Sequence, residues 1–343
     1  MSVSILSPNY VGAKPTMLIP KETYTYDYPR AIEFAKEQVK ILWPPDEIDV
    51  TKDIHDIKTR LTEAEYHGMV TVLKLFTLYE QKVGQDYWAG YFCKVFKRPD
   101  LRRMANCFSF FEDNIHAVFY NRINELLGLN TDEFYSSYKD IEVLAGRMKF
   151  IEELVGKKHD INDILVSVGT MSMIEGAILF EGFSYIKHFN STGKSKLLTL
   201  NSGIDFSIDD ESIHALAGAW SFNQLLHEAV TVEVAELDLD YVHDTLIKNA
   251  EWLYEHECLI NDKIYEKGEP DNISKKASNI FIGHRLNRCL ENMNLPTIFS
   301  EEGNSIAKWF YRDLKSSVLH DTFITQGSDY SRAWNRDKFG WKK

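Results

Sequence analysis

Two acid/histidine pairs at helical spacing, Glu112-Asp113-Asn114-Ile115-His116 and Glu211-Ser212-Ile213-His214, constrain this chain more than any other feature. Two lone carboxylates accompany them inside apolar helical stretches, Glu80 in Leu75-Phe76-Thr77-Leu78-Tyr79-Glu80 and Glu175 in Met171-Ser172-Met173-Ile174-Glu175. Side chains three or four residues apart share one face of a helix, so each pair can aim an acid and an imidazole at one point. Two such pairs and two lone acids, each on its own helix, make the ligand set of a di-iron or di-manganese carboxylate site in a four-helix bundle. Carboxylates bridge hard cations and imidazole suits iron and manganese, so four acids and two histidines match two ions and balance their charge. Taken singly, Glu80 reads as a polar helix position and His116 as a hydrogen-bonded core residue. Their joint pattern is what points to metal, because several buried acids without a cation must protonate or repel one another.

With 343 residues the chain can bury a large core, and its 26% charged and 44% hydrophobic content is that of a globular protein. A net charge of −12 argues against a non-specific nucleic-acid binder, because phosphate affinity comes from clustered Lys and Arg. Four dispersed cysteines, Cys93, Cys107, Cys258 and Cys289, contain no C-x-x-C and fit reduced thiols in a cytoplasm. No signal peptide is evident, and no uninterrupted apolar run approaches the roughly 18 residues of a membrane span. The reading is of a cytoplasmic protein without a membrane partner.

Residues 1–28 carry Pro8, Pro15 and Pro20 and read as an arm lying on the body or partly disordered. A body of helices over 29–319 follows, then a flexible tail over 320–343. A short helix is expected from Glu33 to Leu42, stopped by Pro44-Pro45. Thr62-Glu63-Ala64-Glu65 reads as a capping box opening a long helix to about Trp88. Pro99 to Leu127 makes the next, ending at Gly128, and Thr131 to Val155 another. Asp160 to Phe189 has the composition of a buried central helix, and Ser191 to Asp205 that of a surface loop. A further helix starts at Asp209, two or three more reach Leu290, and the chain is less regular from Asn294.

The order Trp43, Glu80, Asp113, His116, Tyr120, Glu175, Asp210, Glu211, His214 resembles the radical-generating small subunit of class I ribonucleotide reductase. The neighbourhoods Leu42-Trp43-Pro44-Pro45-Asp46-Glu47-Ile48-Asp49-Val50 and His116-Ala117-Val118-Phe119-Tyr120 match as well, over roughly residues 30 to 290. The resemblance implies an all-α ferritin-like bundle with additional helices and a dimetal site in its core. It gives one metal to Glu80, Asp113 and His116 and the other to Glu175, Glu211 and His214, with iron in both positions or manganese in one or both.

By the same resemblance Tyr120, one turn after His116, is the site of a tyrosyl radical, and Leu179 and Phe183 wall it from water. Trp43 and Asp210 carry electrons and protons between the surface and His116. Tyr330 hands the radical to the large subunit, a separate partner that reduces ribonucleotides, and the small subunit itself is a homodimer. Three departures stand out. Asp113 keeps the family spacing to His116, but Glu112 has the family side chain and a helix bulge can bring it in. Glu80 stands where many members carry Asp, a choice also found in manganese-using branches. The tail is aromatic (Trp334, Phe339, Trp341) and basic (Arg332, Arg336, Lys338, Lys342, Lys343), and residue 209 is Asp where a basic residue is common. Two other readings are weighed against it: a related dimetal oxidase acting on an apolar ligand without a partner, and iron storage in a ferritin-like shell, for which this chain is too long and too elaborated.

Overall fold

The computed structural model describes residues 14–156 and 160–316, and among them every regular element is helical. Helix α1 is Pro29–Lys40. Helices α2 (63–95) and α3 (99–127) follow, then α4 (Glu142–Val155) and α5 (Ile161–Lys187). The longest, α6, is Leu198–Thr231; α7 is Leu239–Ile264, α8 Lys275–Asn292 and α9 Ser305–Ser316. The core is a four-helix bundle in which α5 lies along α6 and α2 along α3. Helix α1 covers the first half of α3, α7 and α8 cover α5, and α9 rests on α8.

Local chemistry sets most helix ends. Thr62 Oγ1 accepts the Glu65 N–H at 3.2 Å while Glu65 Oε2 accepts the Thr62 N–H at 2.8 Å, a complete capping box at the start of α2. Asp160 caps α5 by accepting the Asp163 N–H at 2.9 Å. Gly128 ends α3 in the left-handed region, φ 72°. Helix α5 is apolar enough over its length to cross a bilayer, yet its most apolar window is 94% buried inside the fold, as befits a central core helix.

Three expectations are corrected. The helix expected over Thr131–Val155 breaks at Ile141, which is extended (φ −109°, ψ 98°), leaving a short helix Asp132–Ser136, a tight turn and α4. Helix α1 begins at Pro29, four residues before the expected Glu33, with proline in its first turn, where the missing N–H costs nothing. The expected loop over Ser191–Asp205 is helical from Leu198. Its polar composition hides a tertiary cap: the Asp53 carboxylate accepts the N–H groups of Leu200 at 2.6 Å and Thr199 at 3.3 Å. Leu200 and Ile204 are buried, and Gly203 lies under the Phe119 ring, where an added Cβ would come within 2.1 Å of Phe119 Cζ.

Residues 14–28 lie against the body. Glu228 accepts the Met17 N–H at 2.8 Å and the Tyr28 hydroxyl at 2.7 Å, while Arg98 donates to the carbonyls of Thr16 and Ile19 at 3.2 and 2.8 Å.

Three stretches wind with the wider π spacing: Val83–Phe92 in α2, Glu112–His116 in α3 and Ile174–Ile178 in α5. Each lies at or beside a candidate ligand. An added residue per turn rotates the following face of a helix, so these segments decide which acids point inward.

Candidate metal centre

Glu80, Glu112, His116, Glu175, Glu211 and His214 are each essentially inaccessible to solvent and converge from α2, α3, α5 and α6. Nδ1 of His116 stands 3.0 Å from Glu211, 3.4 Å from Glu112 and 3.5 Å from Glu80. Nδ1 of His214 stands 2.7 Å from Glu112 and 3.3 Å from Glu211. The ligand atoms fall into two groups, Glu80, Glu112, His116 and Glu211, and Glu112, Glu175, Glu211 and His214, with the atoms of each within 4.8 Å of one another. Glu112 and Glu211 belong to both, the arrangement of acids that bridge two cations. Gly84 permits it: a Cβ there would lie 2.7 Å from Glu112 Cβ.

The backbone explains why Glu112 and not Asp113 is in the cluster. With π winding over Glu112–His116, the residue four before His116 shares its inward face, and Asp113 turns out to a half-buried position beside Gln85, whose amide donates to it at 3.3 Å. Of the two acids left open by the sequence, the cluster contains Glu112, and the expectation that Asp113 belongs to it is corrected.

Surrounding groups orient the cluster. His116 Nε2 donates to Asp210 Oδ2 at 2.9 Å, which leaves the Nδ1 lone pair directed at the acids. Asp210 also accepts from Trp43 Nε1 at 2.7 Å and from Gln38 Nε2 at 2.5 Å. The Trp43 indole is buried and lies nearly parallel to the His116 ring, with centroids 6.0 Å apart and planes 25° apart. Trp88 Nε1 donates to Glu175 Oε1 at 2.6 Å, and Phe108 packs on His214 at 4.3 Å.

Tyr120 is buried, donates its hydroxyl to Ser207 Oγ at 2.8 Å, and is flanked by Phe76 at 4.8 Å and Phe119 at 5.4 Å. Phe183 packs on Phe76 at 5.1 Å, and Leu179 is buried. Burial, followed by the Glu80 carboxylate, pushes the Tyr120 phenol well above its ordinary pKa and keeps it protonated.

The electrostatics fit a cation pair. Burial, reinforced by neighbouring carboxylates, raises Glu80 and Glu175 well above the ordinary range. Burial opposes the charge of His214, but Glu211 and Glu112 outweigh it and push the imidazole up to about 9. Without metal, protons on Glu80, Glu175 and the imidazoles offset part of the charge, while Glu112, which burial would raise, is held low by its contacts with Glu80 and His116. Both oxygens of Glu80, Glu112 and Glu211, one of Glu175, and Nδ1 of both histidines are buried and make no well-directed hydrogen bond. Buried polar atoms are rarely left so, and this set of hard oxygens and imidazoles suits two divalent ions.

A family described as ribonucleotide reductase, small chain, matches residues 21–305. The chain belongs to this family. Among similar proteins is the probable ribonucleoside-diphosphate reductase small subunit 048L of Invertebrate iridescent virus 3, 23% identical over 324 residues that cover 90% of this chain and 83% of that one. The ribonucleoside-diphosphate reductase subunit beta of Chlamydia pneumoniae is 25% identical over 311 residues, covering 85% of each. Two solved structures share the fold. They are dimanganese(II)-NrdF of Streptococcus sanguinis (TM-score 0.69, 18% identity, 84% of this chain and 98% of that one) and the ribonucleotide reductase R2 subunit of Clostridium botulinum (TM-score 0.72, 17% identity, 92% and 98%).

Within this ribonucleotide reductase small chain the structure brings together every expected site residue that it describes, except Asp113. Tyr330 lies outside the described residues, as do Trp334, Phe339, Trp341 and the basic residues of the tail. Sequence reasoning missed Gln38, Trp88 and Ser207. Ser207 stands four residues before Glu211, so helical spacing alone could have found it, whereas Trp88 lies inside the π-wound stretch of α2, where regular helical spacing does not carry over. Gln38 reaches Asp210 from a separate helix and left no local trace.

Proposed function

We propose that this small chain holds two redox metal ions and uses them to generate and store a radical for the large subunit of a ribonucleoside-diphosphate reductase. Glu80, Glu112 and His116 would hold one ion and Glu175, Glu211 and His214 the other, with Glu112 and Glu211 shared. Bound there, a pair of iron ions supplies oxygen reduction and a strong one-electron oxidant; manganese in one or both positions supplies related chemistry.

The protein's own residues do the rest. His116 is fixed in one tautomer by Asp210, which keeps its Nδ1 free. Tyr120 is the store: Ser207 Oγ accepts its hydroxyl hydrogen bond and orients it, and Phe76, Phe119 and buried Leu179 and Phe183 keep water and reductants away. Trp43, Asp210 and His116 form one hydrogen-bonded line along which an electron and proton can pass between the outer helices and the site. Tyr330 is the proposed exit to the large subunit. We also propose a cytoplasmic homodimer; the four cysteines, all free in the structure, support a reducing compartment.

The observation that carries this reading is the convergence of six buried ligand-type side chains, most of their outer atoms without a hydrogen bond, beside a buried tyrosine. The test is electron paramagnetic resonance on metal-free protein reloaded anaerobically with Fe(II) and exposed to oxygen, with Tyr120→Phe as control. A tyrosyl signal in the parent, absent from the variant, is the expected result. Stoichiometric iron uptake with no such signal overturns a di-iron tyrosyl cofactor and turns the search to manganese or to oxidase chemistry.

A further inference from the structure

A second tyrosine is equipped for redox chemistry on the opposite side of α5, where α8 meets α9. The Tyr311 hydroxyl of α9 lies 3.1 Å from His284 Nε2 and accepts from Arg285 Nη1 at 2.9 Å. His284 Nδ1 lies 2.8 Å from Glu301 Oε2. Glu301 is further held by Asn287 at 3.0 Å and Arg288 at 3.2 Å, both on its other oxygen. These contacts settle the protons. A carboxylate only accepts, so Nδ1 carries the hydrogen, and in a neutral imidazole Nε2 is then a bare acceptor facing the Tyr311 O–H.

We propose that Tyr311 is a second redox-active tyrosine, which loses an electron while its phenolic proton passes to His284 Nε2. The Tyr311 O–H bond breaks and an N–H bond forms on His284. The electron goes to a one-electron oxidant of the phenoxyl-radical class, which ends as a phenol after taking that electron and a proton from its own surroundings. The products are a neutral phenoxyl on Tyr311 and an imidazolium on His284, and reduction reverses both transfers.

The surroundings favour each part of this step. Burial lowers the His284 pKa, and Arg285 and Arg288 add to it against the opposing Glu301 carboxylate, so the ring is neutral and free to accept at neutral pH. Glu301 is held at about 2 by Asn287 and His284 against its partial burial, so it stays ionised and stabilises the imidazolium once formed. Tyr311 is partly buried against Phe281 and Phe310, which limits the access of water.

Its position also suits a relay. Arg285 joins Tyr311 to the π segment of α5, donating from Nε to the Gly176 carbonyl at 2.8 Å and lying 3.6 Å over the Phe180 ring. One guanidinium thus separates the Tyr311 oxygen from the backbone next to Glu175. The same helix, α9, leads into the residues that carry Tyr330. Tyr311 therefore stands on a helix packed against α8 and α5, and precedes Tyr330 in the sequence. The origin of the oxidant in the working protein rests on the function proposed above, whereas the chemistry of Tyr311 does not.

The test uses the full-length metal-free protein and photogenerated tris(bipyridyl)ruthenium(III) as external oxidant, so it succeeds or fails independently of the metal centre. Transient tyrosyl absorbance is recorded for the parent and for Tyr311→Phe, and their difference isolates Tyr311. The expected difference signal forms at a rate that is flat with pH from neutrality upward, whereas exposed Tyr241, which must release its proton to water, oxidises faster as pH rises. In His284→Gln the Tyr311 signal slows by about tenfold or more, the loss expected when a positioned base is removed. Absence of any Tyr311-dependent signal overturns the proposal. So does a signal whose rate climbs with pH like that of Tyr241, or one that His284→Gln leaves unchanged. The pH series needs no substitution at His284, and the Tyr311→Phe ring keeps the packing on Phe281, so the result does not depend on a variant that misfolds.

Discussion

Two clusters of buried charge begin one residue apart on α2 and solve the same problem in opposite ways. Glu80 reaches into the cluster of four carboxylates and two imidazoles, while its neighbour Tyr79 carries the Arg147 guanidinium 5.2 Å over its ring. Arg147 is ion-paired with Glu257, and Glu181 lies within its field. The second cluster supplies its own cation. In the first, four acids outnumber two imidazoles, so only protons or ions from solution can balance it. A fold that merely needs stability pairs its buried charges internally. One that leaves them in excess has a ligand to receive.

The largest effect is expected at the register of the first cluster. Glu112→Ala removes an acid shared by both halves and should weaken Mn(II) or Fe(II) binding by more than about 100-fold, beyond the loss usual for a residue that only orients a ligand. Asp113→Ala should load metal like the parent. Equilibrium dialysis with metal analysis distinguishes them, and the opposite ranking would show that the helix is wound differently around His116.

The second cluster answers to its own pair. Arg147→Met leaves Glu257 as an unpaired buried charge and should cost about 3–5 kcal/mol in urea unfolding of the metal-free protein, with metal loading retained. Arg147→Met combined with Glu257→Leu should recover most of that loss. A double variant as unstable as the single one would mean that the two charges do not neutralise each other.

Glu181 gives the smallest effect and the one with a pH window. Burial pushes its carboxyl up to about 7 from 4.5, against the Ser278 hydrogen bond and the Arg147 charge. Because the folded pKa is the higher, the folded state holds this proton more tightly than the unfolded chain. Its contribution is fully present below about 4.5 and is lost as pH rises through about 7, a swing of about 3 kcal/mol. Glu181→Gln cannot titrate, so its unfolding free energy should be flatter over that window and exceed the parent's at pH 8. Parallel stability curves for the two proteins would place the Glu181 proton elsewhere.

Much of this was legible in the sequence, and the reason is local. Thr62 and Glu65, Pro99 and Gly128, and Asp160 act within a turn of the backbone they cap, so α2, α3 and α5 could be read directly. The spacing of Glu211 to His214 survives because α6 is regular there. What escaped depended on partners remote in the chain. Asp53 caps the start of α6 from nearly 150 positions away and turns an apparent loop into helix. Ile141 breaks the expected helix by its extended backbone, and Gln38 finds Asp210 across two helices.

The acid/histidine pattern and the helical bundle were determined by the sequence itself, because helical periodicity places residues three and four apart on one face; the family followed from the resemblance of those motifs, not from periodicity. The choice between Glu112 and Asp113 was decided only in the tertiary structure. The two side chains differ by about 100° around the helix axis, and a single π turn moves either one inward. That turn packs against Gly84, whose missing Cβ leaves room for Glu112, and faces acids from three other helices, none of which the local sequence contains.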